Sequence, residues 1–395
     1  MPHTDWDPRH PTTLHDQRAA YDAMRATCPV AYSDFLGWSL FRHDDIVTVL
    51  DDPTTFSSAS RHVAIPNGMD PPEHTRYRNA LTPFFDAARL ADFEPHCRAT
   101  AAQLAELMTG LDELEFVGEF AEPYALGAEC DFLGWPDVIW GHLQGWTHGN
   151  QEVALSRDRA AGKAIAEELA RYVTAAIRAR HSARGMPGDD LTSRLMATEI
   201  DGKRLNDEDL ADILRNWIAG HGTVAAALGI LVFHLAKDPA LQQRLRDDPS
   251  LIPAAVDEIL RVDDPLVANR RTTTRPVDIG GRHIDAGEKL TLMWITANRD
   301  PEIFSDPDTI ELDRDQNKNL VFGEGIHDCI GAGLARLELR VALEELLART
   351  SAIEFGASDR PVRSVYPSNG FARLPVRLCP PRGDGSTEST NRTRG

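Results

Sequence analysis

The spacing of apolar and polar positions predicts a chain that is mostly helical. Apolar residues recur at helical intervals over 86–111, 158–182, 206–237 and 333–350. Runs rich in β-branched and aromatic residues predict strands at 30–32 and 38–41, around a turn at Gly37 and before a short helix at 44–50. Further strands are predicted at 277–279, at 289–295 and around 361–378. We therefore expect a mostly α fold with a small β-rich region.

The composition fits one large domain without a membrane span. The chain has 395 residues, of which 42% are hydrophobic, so we expect a single domain over residues 1–379. Residues 380–395 are rich in Pro, Gly, Ser, Thr and charge, which predicts a disordered tail or a linker. Residues 1–10 are polar, and the most apolar run, 224–233, is about half of the roughly 20 residues that a bilayer requires. We therefore predict a cytoplasmic protein with no membrane partner.

Charge and cysteine content exclude several classes of function. The net charge is -19, with 61 acidic and 42 basic residues, whereas a nucleic-acid surface requires clustered cations. We therefore expect no nucleic-acid partner. The cysteines are few, scattered and odd in number, with no C-x-x-C pair, which argues against a disulfide framework and a zinc ribbon. They are Cys28, Cys97, Cys130, Cys329 and Cys379.

One of these cysteines lies in a glycine-rich segment, 321–333, with the sequence VFGEGIHDCIGAG. The glycines allow the backbone to turn tightly and to approach a flat ligand closely. The helix predicted just after Cys329 directs free N–H groups back towards the sulfur, which favours a thiolate and suits an iron with a strongly donating axial ligand. A glycine-rich turn around a buried cysteine is the alternative. A zinc site at His327 and Cys329 would lack two further ligands.

The string F-G-x-G-x-H-x-C-x-G in this segment resembles the haem-binding loop of the cytochrome P450 family at every position. The resemblance implies haem b (iron protoporphyrin IX) with Cys329 as the iron ligand. It implies a fold in which the haem lies between a long distal helix and this loop. It also implies that Phe322, Gly323 and Gly331 contact the cofactor, and that His327 binds a haem propionate.

Two further segments are similar to propionate-binding segments of the family. The prolines of D-P-P-E-H-x-x-x-R mark a helix start, and the i, i+4 spacing then places His74 and Arg78 on one helix face. In the family this pair binds haem propionates, and a solvated, charged first turn is the alternative. By its spacing to the glycine pair at 280–281, Arg271 rather than Arg270 is identified as a further propionate ligand.

An ion network is also implied. Glu258 and Arg261 lie three residues apart in a helical stretch, which places their side chains on one face. The E-x-x-R pattern alone is unspecific, but its position ahead of the cysteine is that of the family. There it forms a buried network with a later arginine, here Arg314. The implied role of the three residues is structural and not catalytic.

The predicted helix at 206–237 contains the sequence AGHGT at 219–223. Each of its glycines costs about 1 kcal/mol relative to alanine in a helix, which favours a kink beside a flat ligand. The family has A-G-x-(D/E)-T here, which implies that Ala219 lies near the haem and that the hydroxyl of Thr223 assists dioxygen activation. Gly222 stands where the family has a proton-relaying acid. Protons would then pass through Thr223 and ordered water or through His221, unless the His221 side chain points away from the haem. We hypothesise that water beside Gly222 replaces the carboxylate.

The resemblance implies a monooxygenase that inserts one oxygen atom from O2 into a hydrophobic organic substrate, by hydroxylation, O-dealkylation or epoxidation. Electrons would come from NAD(P)H through a ferredoxin and reductase or through a fused reductase. Segments 66–69 and 366–371 resemble haem domains of reductase-fused members. A peroxide-driven enzyme, a haem sensor and a haem-thiolate enzyme that rearranges its substrate without O2 are the alternatives. The candidate substrate contacts are Val63 and Ile65 in segment 62–65, together with Ala219, Leu266, Val267 and Phe371.

Overall fold

Helices form most of the chain, and its strands are short. The computed structural model describes residues 3–59, 64–154, 156, 158–182 and 190–381. The helices are α1 (Pro11–His15), α2 (Gln17–Thr27), α3 (His43–Asp51), α4 (Glu73–Leu81), α5 (Ala87–Met108), α6 (Glu122–Leu133), α7 (Trp140–Ala154), α8 (Arg159–Ser182), α9 (Leu191–Met196), α10 (Asp207–Ile218), α11 (Gly220–Lys237), α12 (Pro239–Asp247), α13 (Ile252–Val262), α14 (Trp294–Ala297) and α15 (Ala332–Arg349). The strands are β1 (Val30–Ser33), β2 (Gly37–Leu40), β3 (Phe56–Ser57), β4 (Leu114–Glu115), β5 (Glu199–Ile200), β6 (Lys203–Arg204), β7 (Ala268–Thr273), β8 (Val277–Ile279), β9 (Arg282–Ile284), β10 (Lys289–Met293), β11 (Ala352–Phe355), β12 (Val362–Arg363), β13 (Phe371–Arg373) and β14 (Pro375–Cys379).

Side-chain caps fix the starts of the long helices. The carboxylate of Asp86 accepts a hydrogen bond from the backbone N–H of Arg89 at 2.8 Å and begins α5. The side chain of Asn206 accepts from two N–H groups in the first turn of α10, each at 2.9 Å. Both caps satisfy donors that a helix end leaves free, which is why these starts follow from the sequence.

The predicted helix at 206–237 is in fact two helices, α10 and α11, which meet at Ala219. The ring of His221 hydrogen-bonds through Nδ1 to the carbonyl oxygen of Ile218. In a continuous helix the Ile218 carbonyl would accept a hydrogen bond from the backbone N–H of Gly222. The His221 ring takes the place of that backbone donor. The break therefore has a local chemical cause in His221.

The largest sheet has the strand order β1-β2-β10-β7-β3. Strands β1 and β2 form an antiparallel hairpin, and Gly37 at its turn has φ +74° and would place a Cβ 2.5 Å from the carbonyl oxygen of Lys289. Strand β10 ends at Met293, two residues earlier than predicted, because Trp294–Ala297 forms α14. The run from Leu290 to Ile295 is buried throughout, and a continuous apolar run does not distinguish strand from helix.

The main core lies between the long helices. The largest cluster of buried residues joins side chains from α5, α6, α11, α13 and α15, and a smaller one lies against the five-stranded sheet. By length and composition Asp207–Lys237 could cross a bilayer, but 67% of its most apolar window is buried inside the protein, as in the core helix of a soluble protein. The expected single domain stays a prediction. The predicted tail lies outside the described residues from 382 onwards.

Candidate active site

A cavity of about 580 Å³ lies between the junction of α10 and α11 and the loop before α15. Ala219 and Thr223 line its helix side, and Cys329 lines its loop side. The Thr223 and Cys329 side chains are both accessible from this space. The lining also contains the predicted cofactor residues Arg271, Phe322, Gly323, His327 and Gly331. Two walls that are far apart in the sequence therefore enclose one site.

The cysteine loop holds the sulfur by backbone geometry. The N–H of Cys329 donates to the carbonyl of Phe322 at 2.8 Å, and Gly323 and Gly325 adopt φ values of +70° and +76°. Burial raises the pKa of the Cys329 thiol, although a hydrogen bond from the backbone N–H of Gly331 opposes that shift. Stabilising the thiolate in this place therefore requires a further positive charge, which an iron ion would supply.

Buried His74 and half-buried His327, at the edge of the cavity, lack hydrogen-bond partners among the described residues. The ring centroids of His74 and His327 are 4.2 Å apart, and neither nitrogen of either ring is satisfied. Burial lowers the pKa of both rings, that of His327 to about 3, so each is neutral and carries one N–H donor. Unsatisfied buried donors are costly, which indicates that these rings face acceptors of a bound group.

Arg271 adds a positive charge to the side of the cavity where these two histidines lie. It lines the cavity and forms no salt bridge to a carboxylate within the described part of the chain, and burial lowers its pKa. A guanidinium beside neutral N–H donors suits a ligand with carboxylate groups. Arg78 is instead held by Asp328, donating to its carbonyl oxygen at 2.6 Å and to its carboxylate at 2.7 Å. Arg78 and His74 therefore lie next to the cavity wall and not on it.

These residues fit haem b. A sulfur on one wall could bind the iron, while the neutral histidines and Arg271 could bind the propionates. Phe322 packs beneath the guanidinium of Arg336, 4.2 Å from the ring centroid, which fixes the loop at its start.

The predicted ion network is present. The carboxylate of fully buried Glu258 accepts two hydrogen bonds from Arg261, at 2.8 and 2.9 Å, and one from Nε of Arg314 at 2.9 Å. Burial alone would raise the pKa of Glu258, but hydrogen bonds from Arg261 and Gln316 hold it below its ordinary value. Arg261 also donates to the carbonyl of Asn298, at 2.8 Å, and so ties α13 to the segment after α14.

His221 and Gly222 do not line this cavity. They line a second, smaller cavity of about 150 Å³ on the far side of α11. Nε2 of His221 lies 2.8 Å from the hydroxyl of Thr147, so the ring points away from the predicted haem position. The Thr223 hydroxyl has no hydrogen-bond partner among the described residues and remains available to the main cavity.

The family model for Cytochrome P450 matches residues 152–352. The Erythromycin C-12 hydroxylase of Saccharopolyspora erythraea is 34% identical over 368 residues, covering 89% of this chain and 92% of that protein. The chain is a cytochrome P450. The epoxidase CymV of Salinispora arenicola, which acts on cyclomarin C, is also 34% identical, over 337 residues that cover 80% of this chain and 84% of that protein.

Solved structures agree with this assignment. A mutant of P450 EryK in complex with erythromycin B matches this cytochrome P450 with a TM-score of 0.86 at 32% identity, covering 94% of this chain and 99% of that one. The open form of Eryk from S. erythraea matches with a TM-score of 0.85 at the same identity, covering 95% and 98%. The mostly α fold, the haem-dependent chemistry and the enzymatic nature of the chain are thereby confirmed.

Few of the substrate contacts predicted for this cytochrome P450 reach its cavity. Leu266 lines it, but the next residue, Val267, is fully buried in a cluster with Trp6 and Tyr21, because successive residues of the segment that leads into β7 face opposite sides. Ile65 is buried in the main core. Phe371 contacts Phe233, with ring centroids 4.6 Å apart, and lines the second cavity. Val63 lies outside the described residues.

Several lining residues escaped the sequence analysis. Asn216 shares a helix face with Ala219 and Thr223, at i, i+3 and i+7, and this spacing could have identified it. Glu129 and Glu338 also line the cavity of this cytochrome P450. Burial raises the pKa of Glu129 to about 8, and that of Glu338 well above its ordinary value. Nothing in the local sequence marks these two carboxyl groups as neighbours, since they come from α6 and α15.

Proposed function

We propose that this cytochrome P450 inserts one atom of O2 into a hydrophobic organic substrate, by hydroxylation or epoxidation, the reactions named for its relatives. Haem b, when bound, supplies the activation of dioxygen. The observation that carries the proposal is the Thr223 hydroxyl. Among the described residues it has no hydrogen-bond partner, and it lies on the wall opposite Cys329, where it can donate to or accept from an oxygen species in the cavity.

Most of the predicted cofactor-binding and structural residues have a role in this proposal. Cys329 binds the iron, while His74, Arg78, Arg271 and His327 bind or position the propionates. The other cofactor contacts are Phe322, Gly323, Gly331 and Ala219, and the structural network is Glu258, Arg261 and Arg314. Leu266, with Ala219, faces the substrate. The support is that the cofactor and substrate residues lie in or beside one cavity, and that the three network residues are joined by hydrogen bonds.

Electrons are proposed to come from NAD(P)H through a separate ferredoxin and its reductase in the cytoplasm. The relatives support separate proteins over a fused reductase, since this chain covers 92% and 84% of their own length. A fused reductase would make the relatives much longer than the part that matches.

The first experiment tests ligation by sulfur. When the reduced haem protein binds carbon monoxide, its absorption band should be shifted to the red. This shift occurs only with a thiolate ligand, so Cys329→Ala should lack the shifted band. A red-shifted band in Cys329→Ala would contradict the assignment of the ligand.

The second experiment tests the reaction. The substrates to screen are linalool, testosterone and erythromycin B, taken from the names of relatives and neighbours. A compound that shifts the ferric spectrum should gain one oxygen atom only with NAD(P)H, O2 and a surrogate ferredoxin and reductase. Turnover with hydrogen peroxide alone would favour the peroxide-driven enzyme. If a compound binds but is converted neither with NAD(P)H and the surrogate proteins nor with hydrogen peroxide, a haem sensor is favoured.

A further inference from the structure

Helix α11 separates two cavities that face opposite sides of it. Residues 220, 223, 224 and 227 line the main cavity, while residues 221, 222, 225 and 226 line the second. At about 100° per residue these two sets lie on opposite faces of one helix. Gly222 and Thr223 are therefore adjacent in sequence but open into different cavities.

The second cavity contains several polar side chains and leads towards solvent. The carboxylate of Glu122 accepts a hydrogen bond from Gln144 at 3.0 Å and lies 3.0 Å from Nε2 of His148. The side chain of His148 is 53% exposed and that of Glu122 is 12% exposed, so this pair connects the cavity to the surface. The volume of about 150 Å³ holds several water molecules at roughly 30 Å³ each.

His221 and Thr147 at the inner end can hold a proton in either of two satisfied states. Nδ1 of His221 must carry a hydrogen, because its partner, the carbonyl of Ile218, only accepts. In the neutral state the Thr147 hydroxyl, 2.8 Å away, donates to Nε2. In the charged state Nε2–H donates to that oxygen, and the hydroxyl donates to the carbonyl of Leu143, 3.0 Å away. A buried histidine without such a partner would lose a hydrogen bond on protonation.

The space beside Gly222 completes the arrangement. A Cβ built at Gly222 meets only Cγ2 of Thr147, at 3.8 Å. An acid at this position would therefore extend into the second cavity, towards Thr147. With glycine, the space is open to water next to the His221–Thr147 pair.

We propose that His221 and Thr147 replace the acid missing at position 222 and relay protons from the second cavity to Thr223. This inference rests on the monooxygenase function proposed above. A hydronium ion in the second cavity gives a proton to the Thr147 oxygen while the hydroxyl proton of Thr147 moves to Nε2 of His221. One O–H bond of the hydronium ion breaks and leaves water, a new O–H bond replaces the one lost at Thr147, and one N–H bond forms on His221. The reverse step returns the proton through Thr147 to water beside Gly222. From there the proposed transfer to the Thr223 hydroxyl, which lines the main cavity, crosses α11 at Gly222, where no side chain lies in the way.

The overall reaction balances with this relay. One oxygen atom enters the product and the other leaves as water, which takes two electrons from NAD(P)H and two protons from solvent. His221 accepts and releases each proton and ends neutral. Burial lowers its pKa, which keeps the ring neutral and ready to accept at rest, and Glu122, facing the same cavity, opposes that shift.

The first test is spectroscopic and does not depend on turnover. In the diamagnetic ferrous carbon monoxide complex with ¹⁵N-labelled histidine, the signal of His221 is assigned by its loss in His221→Gln. We expect the neutral Nδ1–H tautomer at pH 7. In Thr147→Val the pKa of His221 should fall further, because the charged ring loses its acceptor. An Nε2–H tautomer, or a titration unaffected by Thr147→Val, would overturn the proposal.

The second test follows the use of electrons. In Thr147→Val and His221→Gln, the share of NAD(P)H that ends in product should fall several-fold with hydrogen peroxide released instead, while the carbon monoxide band stays intact. Adding Gly222→Glu to Thr147→Val should restore product formation. Thr48→Val is the matched control, because it removes the same kind of hydroxyl-to-backbone bond, 2.8 Å to Asp44, at an exposed site.

The outcomes separate the two proposals. If the wild-type enzyme hydroxylates a substrate and the share of NAD(P)H that ends in product is the same in Thr147→Val and His221→Gln, the relay is refuted and the monooxygenase function is not. A wild-type enzyme that makes no product with NAD(P)H would refute the monooxygenase function, and the nitrogen spectrum would still decide whether the pair can hold a proton.

Discussion

At Glu258 one buried carboxylate neutralises two buried guanidinium groups, those of Arg261 and Arg314. Glu258→Gln keeps the size of the side chain and removes its charge, which leaves fully buried Arg261 without its counter-ion and Arg314 with only the exposed carboxylate of Glu311. Breaking a buried pair in this way costs about 3–5 kcal/mol, so we expect the free energy of unfolding of the haem protein to fall by about that amount. Denaturant unfolding followed by circular dichroism measures the change.

The control for this prediction is a pair of the same chemistry at the surface. Glu354 receives a hydrogen bond from Arg377 across two strands at 2.6 Å, and both side chains are 51% exposed. Glu354→Gln should cost about 1 kcal/mol or less. Equal losses in the two variants would show that the network around Glu258 is not a main source of stability.

Individual residues differ in how far the sequence could place them. Glu258 and Arg261 were predictable because a helix fixes the geometry of an i, i+3 pair. The orientation of Val267 was not predictable, because it depends on how the segment just before β7 packs against the N-terminal part of the chain. The contact between His221 and Thr147 joins α11 to α7, and neither residue has a local pattern that indicates the other.

At the scale of an element, the cysteine loop depends on glycine at a point of close backbone approach. Gly325 has φ +76°, and a Cβ there would lie 3.1 Å from the carbonyl oxygen of Leu50. Gly325→Ala places a residue with a side chain in the left-handed backbone region, which costs about 1–2 kcal/mol. Its methyl group also pushes the loop away from α3. We expect a lower melting temperature and a smaller carbon monoxide band per mole of protein.

Gly281→Ala is the matched control for the loop. Its φ is +77°, nearly that of Gly325, but a Cβ there meets nothing within 4 Å. The melting temperature of Gly281→Ala should fall through the same strain while the carbon monoxide band stays complete. A smaller band in both variants would mean that general destabilisation, and not the contact with Leu50, limits haem binding.

The elements themselves followed the sequence wherever local chemistry decides them. Caps at Asp86 and Asn206 begin their helices as predicted. The glycines at 219–223 predicted a kink in this helix, but its cause was not predictable, because it depends on the hydrogen bond from the His221 ring to the carbonyl of Ile218. The early end of β10 was missed because its apolar run is buried on every side.

At the scale of the whole molecule, the site exists only because distant segments meet. Thr223 and Cys329 line one cavity, and the five-stranded sheet brings Arg271 to the same space. The order of residues along the chain does not give the distances between them in the folded protein. The family resemblance grouped residues from these distant segments, and their roles stay predictions, while the second cavity became visible only in the folded chain.

The expected domain boundary at residue 379 is a prediction about the whole molecule that truncation can test. Strand β14 pairs with β11 and β4, and the Ser351 hydroxyl donates to the carbonyl of Pro380 at 2.7 Å. A chain that ends after residue 381 keeps these contacts, so its carbon monoxide band and melting temperature should equal those of the full chain. A chain that ends after residue 374 loses β14 with the fully buried Val376 and Leu378, which exposes the core cluster they share with the long helices. It should not yield a folded haem protein. If the chain ending after residue 381 also failed to bind haem, residues 382–395 would belong to the domain and the boundary would be wrong.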